Sequence, residues 1–244
     1  MLSDVERLEN IDLKVEPRAI LYIQGYTGKR EPKPAVIELA ERAAEEALAL
    51  SEPQAIYREV PIAEVNTDYL LLEGGFRLNT GERINGWWKG SKSLSIAVCT
   101  IGERIEDRVS QYFAKGEHAS AMNLDIAGSV ALGALGNRVH QHICHTAKQA
   151  GLEMGPFLNP GYREWSITDQ KEIFRIMPAD SIGVKLNEQC MMIPKKSLTY
   201  CAGVGVNEVQ ESFNRCRHCG VPKCPYRDPG KGIDVEQEQL QGHM

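Results

Sequence analysis

The stretch Leu94-Ser95-Ile96-Ala97-Val98-Cys99-Thr100, followed closely by Gly102, decides the architecture. Only Ser95 and Thr100 are polar, and both alternating faces of the run are apolar, so a strand here is buried on both faces or nearly so. Such a strand belongs inside a sheet that carries further layers. Past Gly102 a short helix is expected to about residue 115, and a long helical pattern runs from 118 to about 148. Gly128, Gly133 and Gly136 interrupt that pattern, each at a cost of up to ~1 kcal/mol relative to Ala. Either the helix simply packs on the sheet, or close approach of a backbone or ligand offsets the cost.

Toward the N-terminus, residues 55–62 read as a second strand behind the Gly-rich stretch Gly74, Gly75, Gly81 and Gly86. A helix precedes it, with Val36, Leu39, Ala40, Ala43, Ala47 and Leu50 on one buried face and a Glu-rich face opposite. Residues 18–26 read as a strand ending near Gly25. Toward the C-terminus, Ser166 and Asp169 resemble a capping pair for a helix whose apolar face is Ile173, Phe174, Ile176 and Met177, stopped by Pro178. Residues 182–186 and 197–206 read as further strands. The expected fold is α+β, a single domain over residues 1–227 with helices packed on one mixed sheet. The polar tail 228–244 has little to bury and is expected to be disordered. No GxGxxG follows a strand, and Gly203-Val204-Gly205-Val206 lacks the third glycine of a dinucleotide fingerprint.

With 244 residues, 42% of them hydrophobic, the chain can bury a core without staples. The net charge of -5 is spread through mixed acidic and basic residues, without the Lys/Arg clustering that binds phosphates, so nucleic acid is not an expected partner. No apolar run approaches the ~20 residues that span a bilayer, and the first residues are too charged for a secretory signal. A cytoplasmic protein without membrane contact is expected.

In such a compartment the seven cysteines should not pair as disulfides. Cys99 and Cys144 lie in apolar or helical stretches and read as core. Cys216, Cys219 and Cys224 form a knuckle, in which a two-residue gap aims two thiolates at one site and Gly220 and Pro222 turn the chain back to deliver a third. A metal or cluster needs a fourth ligand, for which Cys201 is the first candidate and Cys190 the second. Zinc and an iron–sulfur cluster share this ligand set. Arg215, Arg217, Lys223 and Arg227 crowd the knuckle and would favour thiolates. The plain alternative is a set of free surface thiols.

His140, His142 and His145 suggest a metal cluster at first sight. On a helix His140 and His142 project roughly 200° apart, so only His142 and His145 can share a ligand, and a solvated or capping role is the simpler reading. Trp87 and Trp88, in a Gly-rich loop, form either an aromatic docking surface or a plug over the core. No nucleophile elbow, phosphate loop or Ser/His/Asp arrangement is present, which argues against an ordinary hydrolase or kinase. Asn159-Pro160-Gly161-Tyr162, after Gly155-Pro156, forms a stiff loop whose Tyr162 either meets a flat ligand or anchors the loop.

Taken in order, these segments resemble the reactivation domain of cobalamin-dependent methionine synthase. The resemblance rests on Tyr22-Ile23-Gln24-Gly25-Tyr26, Thr100-Ile101-Gly102, Leu124-Asp125-Ile126-Ala127-Gly128-Ser129 and Pro160-Gly161-Tyr162. Ser181-Ile182-Gly183-Val184 and the run from Met191 to Ser197 complete it, so that it covers most of residues 18–206. It implies a twisted antiparallel sheet with flanking helices that docks over a corrinoid held by another module. It also implies S-adenosylmethionine binding and support for reductive methylation of inactive cob(II)alamin. By this resemblance Tyr162 matches a tyrosine that approaches the corrinoid, and the cofactor-facing residues are Asn159, Pro160, Gly161 and Tyr162, with Tyr200.

Two positions depart from the family. Its arginine three residues before the Pro-Gly-Tyr proline is Phe157, and its helix acid falls near Gly133 when the chains are aligned on His140. In the family those groups pair the ligand's carboxylate and cation. The knuckle is absent from the methionine synthase domain, and an iron–sulfur cluster there would supply the electron imported in the family. Three functions follow: a corrinoid-protein reactivation or corrinoid-binding factor, with metal ligands Cys216, Cys219, Cys224 and Cys201; a non-catalytic docking module with structural zinc; or S-adenosylmethionine-dependent reductive methylation. Each has a cobalamin-binding protein or methyltransferase module as partner.

Overall fold

The computed structural model, which describes residues 3–28 and 30–205, is organised around the apolar 94–100 stretch. In chain order the elements are β1 (Glu6–Leu8), α1 (Pro17–Ile23), α2 (Pro34–Leu50), β2 (Gln54–Val65), β3 (Leu70–Leu72), β4 (Phe76–Leu78) and α3 (Glu82–Trp87). There follow β5 (Ser93–Thr100), α4 (Arg104–Ala114), α5 (His118–Gln149), β6 (Glu153–Met154), α6 (Gln170–Ile176), β7 (Lys185–Leu186), β8 (Met192–Ile193) and β9 (Ser197–Gly205).

The main sheet runs β4-β3-β2-β5-β9-β6, with β1 added alongside β2. Every pairing in it is antiparallel, so the sheet is not the mixed one that element counting suggested. All eight residues of β5 pair with both β2 and β9. One face of β5, carrying Ala97 and Cys99, joins Tyr57, Tyr200 and Ala202 beneath the small-residue stripe of α2 (Ala40, Ala43, Ala44, Ala47) and the inner face of α5. The other face, carrying Ile96 and Val98, packs with Ile56, Cys201, Trp88, Trp165 and Ile173 of α6. A strand with no polar face thus sits between two apolar layers, as its composition requires.

Two local expectations are corrected. Residues 18–26 are not a strand: Pro17 occupies the first turn of α1, where its fixed φ suits a helix and its missing N–H costs nothing. Ile20 is fully buried against the core shared with α2 and α5, and this packing outweighs the β propensity of the local sequence. Residues 182–186 divide at Gly183, whose φ of 73° separates a 3-10 turn, Ala179–Ile182, from the two-residue β7.

The glycines of α5 have distinct reasons. A Cβ on Gly128 would stand 3.0 Å from Ile105 Cγ2 and 3.2 Å from Lys196 Cε, and one on Gly136 3.1 Å from Leu198 Cδ2. Close approach of α4 and β9 therefore accounts for both. Lys196 fixes the same junction. Its Nζ lies 2.8 Å from Asp125 Oδ1 and donates at 2.9 Å to the Asp125 carbonyl and to Ser129 Oγ. Its backbone N–H donates to Glu106 Oε1 at 3.0 Å, and its carbonyl accepts from Ile101 N–H at 3.1 Å. One residue ties the start of β9 to α4, α5 and the end of β5.

The Lys196 side chain is 11% exposed while its Asp125 partner is 52% exposed, so removal of the carboxylate strands a buried ammonium. Because two neutral acceptors remain, Asp125→Ala is expected to cost about 2 kcal/mol in urea unfolding, below the ~3–5 kcal/mol of a fully buried pair. Lys196→Met, which keeps the stem and removes the charge, should cost less than Asp125→Ala; the reverse order would contradict this account.

Candidate functional site

The outer edge of β9 is covered only in part. Val204 and Gly205 pair with β6, and Cys201 exchanges backbone hydrogen bonds of 2.7 and 2.8 Å with Leu158. Antiparallel backbone groups alternate in direction along a strand, so the N–H and C=O of Thr199 point outward as those of Cys201 do. No strand pairs with them on that side among the described residues. A cleft of about 220 Å³ occupies this open edge.

One wall of the cleft is α5, through Gly133, Gly136 and Asn137; the floor is β9 from Ser197 to Tyr200. The opposite wall is Phe157, Asn159, Pro160, Ile167 and Gln170, and Met192 of β8 completes the rim. Phe157 belongs to an aromatic cluster that leads inward, its ring centroid 4.6 Å from His140 and 5.3 Å from Tyr200. Cys144 Sγ lies 3.4 Å from His140 Nε2, and partial burial raises the pKa of its thiol. Gln170 is 2% exposed, and its Oε1 accepts from Thr199 Oγ1 at 2.9 Å.

The loop behind the second wall is stiff. Gly161, at a φ of 93°, donates to the Trp165 carbonyl at 2.8 Å, and Trp165 N–H donates to the Tyr162 carbonyl at 3.0 Å. Trp165 is fully buried, edge-to-face with Trp88 at 5.6 Å. Its indole N–H donates at 2.9 Å to Asp169, whose carboxylate also accepts from Asn79 N–H at 2.5 Å. The Trp88 indole donates to the Pro156 carbonyl at 3.1 Å. Two buried tryptophans hold the wall in place. Trp88 is accordingly a plug, and it follows the end of α3 instead of lying in a loop. Ser166 caps Thr168 N–H at 3.3 Å, but Asp169 is turned to Trp165 and Asn79, so the expected reciprocal cap does not form.

Of the residues assigned to a cofactor, Asn159, Pro160 and Tyr200 meet in the cleft. Gly161 shapes the turn, and Tyr162 is partly buried against the core that contains Trp165, outside the cleft lining. Phe157 and Gly133, the two departures from the family pattern, both line the cleft. Thr199, Gln170 and Met192 were not found from sequence: their roles depend on an open strand edge, which no local pattern marks.

Cys201 lies in the middle of β9, fully buried in the layer with Trp165, and burial raises the pKa of its thiol. Cys190 is also buried. Cys216, Cys219 and Cys224, and the tail 228–244, lie outside the described residues. Among the described residues no group of three His, Cys, Asp or Glu side chains is arranged to hold a metal ion. His142 lies edge-on to Tyr57 at 5.8 Å, and His145 Nε2 lies 3.0 Å from Gln149 Nε2, so these two histidines have separate surroundings. No helix among the described residues is long and apolar enough to cross a membrane.

No family model matches the chain, and no curated protein matches it in sequence. Among solved structures it is similar to the MetH reactivation domain bound to AdoHcy, with a TM-score of 0.55 over 86% of this chain and 80% of that one. The fold is that of the reactivation domain. At 12% identity the likeness is one of architecture, and at that level it bears out the resemblance drawn from the ordered segments. The antiparallel sheet and flanking helices implied by that resemblance are the ones observed.

Gly133 differs from its neighbours on α5, because a Cβ there would meet nothing within 4 Å. Gly133→Ala is therefore expected to stabilise the protein by roughly 0.5–1 kcal/mol, the ordinary helix-interior gain. Gly136→Ala, whose Cβ presses on Leu198, should give no gain. Thermal or urea denaturation of the pair checks this; equal effects at both positions would contradict the packing described.

Proposed function

We propose that this chain docks on a corrinoid-carrying methyltransferase protein and supports the return of inactive cob(II)alamin to a usable state. The observation that carries this reading is the cleft bounded by Asn159 and Pro160, on a fold similar to the MetH reactivation domain. The resemblance matches this same loop to the segment that approaches the corrinoid. The surroundings suit a partner: Ile167 on the cleft wall is 37% exposed, and Met191 and Ile193, flanking Met192, are 56% and 50% exposed. Apolar side chains left exposed on neighbouring segments are characteristic of an interaction surface.

Reduction of cob(II)alamin needs a low-potential donor. We assign that role to an iron–sulfur cluster held by Cys216, Cys219 and Cys224, with the fourth ligand from the chain or from the partner. Cys201, the first candidate for that ligand, lies fully buried in β9 between β5 and Leu158. Structural zinc in the same knuckle would make the chain a docking module without an electron to give.

Anaerobic purification followed by iron, sulfide and zinc analysis tests the electron-transfer role. A brown protein that bleaches on reduction is the expected result, and a colourless one with stoichiometric zinc would eliminate the role. Docking is tested separately, by titrating a cob(II)alamin-loaded methyltransferase module with the chain and following the corrinoid spectrum and co-elution. Combined Met191→Ser and Ile193→Ser substitutions should weaken docking at least tenfold and leave the melting temperature unchanged within error. Unaltered docking in that variant would refute the assigned surface.

A further inference from the structure

We infer that the cleft on the β9 edge takes an uncharged ligand bearing a paired hydrogen-bond donor and acceptor, a nucleobase or an aromatic carboxamide, and disfavours ligands ending in an amino-acid zwitterion. The inference concerns the same cleft as the docking proposal, but it rests on the lining alone and is tested without any corrinoid.

No charged side chain lines the cleft among the described residues. Its polar groups are neutral, and their free valences follow from the bonds already made. Gln170 is buried and its carbonyl oxygen is engaged by the Thr199 hydroxyl, so what it can offer a ligand is its Nε2 pair of hydrogens. Asn159 spends an Nδ2 hydrogen on the Pro160 carbonyl at 3.1 Å, which leaves its Oδ1 as an acceptor. The outward N–H and C=O of Thr199 add one donor and one acceptor on a strand edge, the arrangement that a base edge or a carboxamide complements. The ring of Phe157 adds an aromatic surface to the same wall.

Size points the same way. About 220 Å³ is smaller than the ~300–1,000 Å³ of pockets that enclose drug-sized ligands, so one planar group is accommodated and not a whole nucleoside conjugate. The fold neighbour is bound to AdoHcy, which carries an ammonium and a carboxylate at one end. In this chain no lining side chain pairs either charge, so the amino-acid arm gains no ionic contact at the cleft and still loses freedom when it is held beside the planar group. At Phe157 and Gly133, where the resemblance places an arginine and an acid, the side chains carry no charge. The lining does not fit S-adenosylmethionine or AdoHcy, and no reaction step is assigned to either here.

The test compares four probes on the full chain by calorimetry and thermal shift: adenosine, nicotinamide, AdoHcy and S-adenosylmethionine. Adenosine and AdoHcy differ only at the 5′ carbon, a hydroxyl against the homocysteine thioether, so their ratio reads the effect of adding the zwitterionic arm. Binding of adenosine or nicotinamide, with AdoHcy at least tenfold weaker than the better of the two, is the expected result, and the better probe identifies the source of the edge. AdoHcy within tenfold of that probe or tighter, or no binding by either neutral probe at millimolar concentration, overturns the inference.

The paired substitution Gly133→Glu with Phe157→Arg supplies the missing charges, and Gly133 has open space for a side chain. It should raise AdoHcy affinity relative to adenosine at least tenfold. An unchanged ratio in a variant with a native melting profile also overturns the inference, and if the variant does not fold, the wild-type comparison decides alone. None of these outcomes depends on whether the chain docks on a corrinoid protein.

Discussion

The structure depends on a strand that has no face to show to water. Every residue of β5 from Leu94 to Thr100 is buried, and both neighbours pair with it along its full length. An α2–α5 layer on one side and the Trp88–Trp165–α6 layer on the other follow from that constraint, because each face needs an apolar cover. The two layers are made differently. Small residues let α2 and α5 settle closely on the sheet, whereas the opposite layer is filled by large rings and irregular chain. It is the second layer that supplies the stiff loop carrying Asn159 and Pro160.

From this asymmetry the cleft arises. Edge strands must be covered, paired or charged. Here β6 and Leu158 cover the far half of the β9 edge, and among the described residues no strand pairs with the half nearest Lys196, which is flanked by side chains of α5, α6, β8 and the loop. Lys196 anchors this uncovered half to α4 and α5, while Asp169 and the two tryptophans anchor the loop opposite. Both walls are therefore fixed by buried polar bonds outside the cleft itself. A site supported in this way needs little ordering when a ligand arrives, which favours binding through neutral hydrogen bonds of modest individual strength.

Much of this was legible in the sequence, for identifiable reasons. The doubly apolar run at 94–100, the 3.6-residue period of α2 and the long pattern of α5 are signals carried by consecutive residues. Residues 18–26 misled because Ile20 and its neighbours favour strands, while the deciding facts, Pro17 in the first turn and a partner layer to pack on, were weak or distant. The sheet read as mixed because strand direction is a property of pairing and leaves no local trace. Of the five residues that the family resemblance grouped, Asn159, Pro160 and Tyr200 line one cleft, and Gly161 and Tyr162 lie outside its lining. Gln170 and Thr199 were missed because a strand edge left half uncovered is visible only once β6 and Leu158 are in place.

The two departures from the family pattern, Gly133 and Phe157, sit differently in the structure. Gly133 costs helix stability without any packing reason, unlike Gly128 and Gly136, which make room for Lys196 and Leu198. Phe157 is held against His140 and Tyr200, where an arginine would have to bring its charge into an aromatic cluster beside a fully buried strand. The architecture is shared at 12% identity to the structural neighbour because the apolar layering on β5 fixes it, and that layering constrains the class of residue more than its identity.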